Sequence, residues 1–101
     1  MKTLTKIIAT TSILLSTSLF ATDGEVLFKS CIGCHGANAE KKALGKSEII
    51  QGWSVEKTTK ALKGYQDGTY GGPMKGVMKG QAAKLDDEKI DAIAKYISTL
   101  K

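Results

Sequence analysis

Cys31-Ile32-Gly33-Cys34-His35 is the stretch on which the reading of this chain turns. Two thiols separated by two residues and followed at once by a histidine suit covalent attachment of haem: the sulfurs add across two porphyrin vinyl groups, and the imidazole reaches the iron from one side. A short turn holds both sulfurs along one edge of the macrocycle and swings the adjacent ring beneath its centre. Three plainer chemistries fit less well. A Cys-x-x-Cys redox centre sits on a strand-to-helix turn, and no stretch of this chain alternates as a strand does. Structural zinc takes four Cys or His ligands, whereas the chain has two cysteines and one histidine. A Cys31–Cys34 disulfide would close a loop too small to restrict the unfolded chain by much.

The inventory narrows the second axial ligand of such an iron. His35 is the sole histidine, so two-histidine ligation within one chain is impossible. Methionine is the usual alternative in electron-transfer haems. Met74 and Met78 both lie downstream in a glycine-rich segment, and spacing alone does not choose between them. A methionine is otherwise an adaptable filler of cores.

Upstream of the motif, residues 1–21 have the pattern of a secretory signal peptide. Lys2 and Lys6 precede an uncharged run from Ile7 to Phe20 that ends at the small residue Ala21. That run is too short and too rich in Ser and Thr for a membrane span, which needs roughly 20 predominantly apolar residues. No stable membrane insertion is expected, and residues 22–101 are the single mature domain. Export places the cysteines in an oxidising compartment, where thiols pair or are captured.

Removing the leader takes away two of 15 lysines and none of the ten acidic residues, which lowers the formal charge from +5 to +3. All 15 basic residues are lysine. An arginine-free, mildly basic domain poor in aromatics does not suit nucleic acid, which selects clustered Arg and Lys with interleaved aromatics. So short a domain buries a modest core and usually needs a disulfide, metal or other staple.

Helical signals run through the rest. Asp23 offers an N-cap to a short helix ending near Ser30, ahead of the motif. Ala43 to Ile50 holds one helical turn or two. Ser54 caps a helix predicted to run to about Lys63 and to end at Gly64. From Gly64 to Gly80 lie six of the 11 glycines and the lone proline, Pro73, which predicts a functional loop. Asp86, with Asp87 and Glu88 behind it, opens a helix whose apolar residues Ile90, Ile93, Ala94, Ile97 and Leu100 share one face. The fold class is therefore all-α, with three to five short helices.

The motif near the mature N-terminus, a later methionine and an amphipathic C-terminal helix together resemble a class I c-type cytochrome. Phe28-Lys29-Ser30, Leu62-Lys63-Gly64-Tyr65 and Tyr70-Gly71-Gly72 are similar to segments of the small, soluble, single-haem cytochromes of the bacterial periplasm. The likeness spans nearly the whole mature chain. It implies the class I cytochrome c fold wrapped around one covalent haem c, with Cys31 and Cys34 as the tethers and His35 as an axial ligand. It also favours Met78 over Met74, because the family's axial methionine follows the Tyr-Gly-Gly segment by several residues. A contact of the first and last helices is implied at Gly24 and Phe28 against Ile93 and Tyr96. One departure is that no proline occurs between Gly36 and Gly52. The mitochondrial members use such a proline carbonyl to hold the histidine ring, so another acceptor is required here.

The function implied is a periplasmic, monomeric electron carrier rather than an enzyme, and no catalytic acid, base or nucleophile stands out. Its partners would be an oxidase, peroxidase or reductase complex, approached through a lysine-rich rim at Lys41, Lys42, Lys46, Lys75 and Lys79. The alternative is a haem protein with an open sixth position that binds or senses a gas, if neither methionine reaches the iron. Ile49, Ile50, Leu62, Val77 and Ile93 are the expected apolar wall. Trp53, Tyr65 and Tyr70 are either propionate donors or half-buried aromatics with wet tips. Gly45-Lys46-Ser47 is no P-loop, because Glu40 stands where that pattern needs glycine.

Overall fold

A computed structural model describes residues 23–101, so the expected leader lies outside the described residues. Those residues form five α-helices and one 3-10 turn, with no strand among them. Helix α1 (Gly24–Phe28) begins where Asp23 accepts the amides of Glu25 and Val26 at 3.0 and 3.3 Å. Helix α2 (Ile32–His35) follows almost at once, with Cys31 at its N-cap, and Gly36 at φ +94° ends it. The 3-10 turn covers Ala43–Gly45.

Helix α3 (Val55–Asp67) starts at Ser54, whose hydroxyl accepts the Lys57 amide at 3.0 Å. It runs one turn beyond the expected end. Gly64 is buried inside the helix, with Tyr70 folded back against it, and Gly68 is the terminator because its φ of +82° is left-handed. The segment expected as a loop to Gly80 also holds a helix, α4 (Lys75–Ala82). Gly76 and Gly80 lower its propensity, but Met78 and Ala82, one turn apart, pack on the core and supply what propensity lacks.

The last helix, α5 (Asp87–Ser98), opens as expected at Asp86, which accepts the Lys89 amide at 2.8 Å. Its inner face is Ile90, Ile93, Ala94 and Ile97, all buried. Helices α1 and α3 both pack on α5, and Phe28, only 1% exposed, meets Tyr96 with ring centroids 5.6 Å apart. The crossing is close at Gly24, where any Cβ would collide with the Ala92 carbonyl and the Tyr96 Cβ. The core gathers Phe28, Leu62, Ala82, Ile90, Ile93 and Ile97 on one side of a large hollow.

Candidate functional site

The hollow is a cavity of about 830 Å³, within the range of roughly 300–1,000 Å³ usual for ligand and cofactor sites. Its walls come from every helix. Cys31, Cys34 and His35 line it from the α1–α2 corner. Ala61, Leu62 and Tyr65 of α3 face it, as do Met74, Val77 and Met78 at α4 and Ile93 and Ile97 of α5. Apart from the motif the surface is mostly apolar, suited to a flat hydrophobic group.

Two buried side-chain polar atoms on the wall, one on His35 and one on Thr58, have no hydrogen-bond partner. His35 is 7% exposed, and its Nδ1 has no hydrogen-bond partner. Burial pushes its pKa below the usual imidazole value, which favours the neutral ring that binds metal. The ring acceptor required on sequence grounds is therefore not among the described residues in this arrangement. Thr58, 4% exposed, likewise has a buried hydroxyl without a partner on the cavity wall. Buried polar groups are rarely orphaned in this way.

Both cysteines are free. Burial raises the Cys31 thiol above its usual pKa, while the Ser30 hydroxyl pulls it down and Cys34 adds to the rise. Among the described residues, no three His, Cys, Asp or Glu side chains gather as a metal-holding set, so the residues around the motif do not complete a zinc site. Two free thiols, a buried imidazole whose charged form is disfavoured and an apolar hollow beside them fit a covalently attached haem. That group would be held by Cys31 and Cys34, with His35 beside them.

The structure sorts the other expected residues. Met74 and Met78 both line the cavity; Met74, the N-cap of α4, is half exposed, whereas Met78 packs against the core. Ile50, Leu62, Val77 and Ile93 belong to the wall, but Ile49 is 45% exposed and is not part of it. Trp53, Tyr65 and Tyr70 all face the cavity. Tyr65 and Tyr70 meet edge-to-face at 5.0 Å, and the Lys57 ammonium lies 4.2 Å from the Trp53 ring centroid. Burial raises the Tyr65 pKa, with Tyr70 and Glu48 adding to it, and so keeps the hydroxyl a donor. Of the named lysines, Lys46 and Lys75 line the cavity, while Lys41, Lys42 and Lys79 do not. Lys84 and Thr58 also line the cavity; a lone lysine and a lone threonine carry no sequence signal for this.

The sequence profile of the family described as Cytochrome c matches residues 21–101. The chain is 45% identical over 80 residues to a cytochrome c-553 from Nitratidesulfovibrio vulgaris, covering 79% of this chain and 78% of the relative. It is 49% identical over 84 residues to a cytochrome c-553 from Helicobacter pylori, covering 83% and 84%. A third cytochrome c-553, from Desulfomicrobium norvegicum, is 39% identical over 71 residues, covering 70% of this chain and 86% of the relative.

Proposed function

The chain belongs to the cytochrome c family, as a small class I c-type cytochrome with one covalently bound haem c, and from that premise we propose a periplasmic one-electron shuttle ligated by His35 and Met78. Residues 1–21 direct its export and are removed, leaving residues 22–101 as the working domain. Haem held there would supply a one-electron iron couple, and a methionine thioether offered to it besides His35 would raise its potential.

The protein's own residues do the rest. Cys31 and Cys34 tether the group at one edge of the cavity. Burial disfavours the charged form of His35 and so favours the neutral ring that can offer a nitrogen to iron. Leu62, Ile93 and Ile97 line the cavity with apolar surface that would exclude water and so disfavour the more charged form of a bound iron, raising its potential. Lys46, Lys75 and Lys84 of the cavity lining attract acidic surfaces of partner proteins. Among the described residues no helix is long and apolar enough to cross a membrane.

The observation that carries this reading is the convergence of the Cys31–His35 motif and Met78 on one apolar cavity. Spectra of holoprotein made with haem-attachment machinery test the ligand pair. Met78→Ala abolishes the weak far-red band of methionine-bound ferric iron, and Met74→Ala keeps it. The reverse pattern transfers the role to Met74. A band absent already from wild type removes methionine ligation altogether.

A further inference from the structure

Gln66, near the end of α3, donates through Nε2 to two backbone carbonyls: Ala82 at 2.9 Å and Leu85 at 2.8 Å. Both acceptors lie where α4 ends and the chain turns toward α5. A helix leaves its last carbonyls without donors of its own. The Leu85 amide meets that need once, donating to the Ala82 carbonyl at 3.0 Å. Gln66 meets it again from a different helix, in a half-buried setting where an apolar side chain would leave the Leu85 carbonyl without this donor.

Helix α4 is tied at its other end too. The Lys75 ammonium donates to the Gly68 carbonyl, at the end of α3, at 3.2 Å. That contact is exposed and correspondingly weak. Met78 stands between the two ties, one turn before Ala82 and on the same helical face. Ala82 is fully buried, so fixing its backbone fixes the depth and rotation at which Met78 faces the cavity.

We propose that Gln66 is a positioning residue whose side-chain amide clamps the end of α4 and so keeps the Met78 thioether directed at the haem site. The proposal rests on the reading of Met78 as an axial ligand. Without the clamp, α4 shifts more freely, the thioether withdraws more often, and a competing ligand gains the position.

Imidazole titration of ferric holoprotein tests this, using wild type, Gln66→Leu, Gln66→Glu, Met78→Ala and the Gln66→Leu/Met78→Ala double variant. Neither leucine nor an ionised glutamate can donate to the two carbonyls, and glutamate keeps the shape if leucine impairs haem incorporation. Imidazole affinity is expected to rise about five- to thirty-fold in both Gln66 variants, the range that loss of one to two net hydrogen bonds allows. The far-red methionine band weakens with it. In the Met78→Ala background, Gln66→Leu should change imidazole affinity by no more than about two-fold, because no thioether is left to displace. Wild-type affinity in both Gln66 variants overturns the clamp, while loss of the band in Met78→Ala leaves the ligand assignment standing. An equal gain with and without Met78 means a general loosening of the pocket and overturns the clamp as well. A band that survives Met78→Ala overturns the ligand reading and the clamp together.

Discussion

Burial acts on the single side chains of this pocket in opposite senses. It lowers the His35 pKa and raises that of Cys31, because in each case the low-dielectric wall disfavours the charged form. For the imidazole the neutral form is the ligating one. Thr58 is a different case, since its hydroxyl is buried with no partner, at a cost of about 1–3 kcal/mol if nothing bonds to it. Thr58→Val is therefore expected to leave the thermal midpoint of the holoprotein unchanged or to raise it. A fall of several degrees would show that the hydroxyl is bonded once the cofactor is in place.

Among the elements, the crossing of α1 and α5 depends on Gly24, and Gly24→Ala drives a methyl into the Ala92 carbonyl. Phe28→Ala at the same crossing empties a fully enclosed site and is expected to cost about 3–5 kcal/mol. Asp86→Ala removes the cap of α5 and is expected to cost about 1 kcal/mol. Chemical denaturation of the holoprotein measures both, and the order of the two losses is the check. The turn after α3 gives a pH signature. Asp67 is held below its ordinary pKa first by the Thr69 hydroxyl and then by the Thr69 amide. A depressed acid stabilises the fold above its unfolded pKa of about 3.9 and loses that contribution as pH falls through the folded value. Asp67→Asn should flatten the acid limb of the stability curve below about pH 4, and an unchanged limb would show that the turn contributes nothing.

What was legible in the sequence at this level follows from locality. The caps at Asp23, Ser54 and Asp86 and the apolar face of α5 are written within a few residues of where they act. The end of α3 and the whole of α4 are not written locally in this way. Gly64 looked like a terminator, yet it is where Tyr70 folds back onto the helix, and α4 exists because Met78 and Ala82 find a core that only the folded chain creates. The Cys31–His35 motif was readable for the same local reason. The orphaned Thr58 hydroxyl and the Gln66 clamp were not, because both depend on groups brought near by tertiary structure.

For the whole molecule, the helices set a hollow about as large as a cofactor site beside a small apolar core. A domain this small cannot spare that volume. The haem supplies the missing apolar interior, so the haem-free polypeptide is expected to be largely unfolded by far-ultraviolet circular dichroism. Native-like helix content with a cooperative melt in that polypeptide would contradict this. The net positive charge of the chain, formally +5, adds a second expectation at this scale. Electron transfer to an acidic partner should slow with rising ionic strength, and rates indifferent to salt would leave the lysines of the cavity lining as ordinary solubilising surface.

The most direct measurement is the mass of the purified holoprotein together with that of its proteolytic peptide spanning Cys31 to His35. Both should exceed the bare polypeptide by one haem, and the denatured protein should titrate no free thiol. A colourless product of bare mass with two reactive thiols, recovered from cells able to mature c-type cytochromes, would contradict the covalent attachment from which the fold, the ligands and the electron-carrying role all follow.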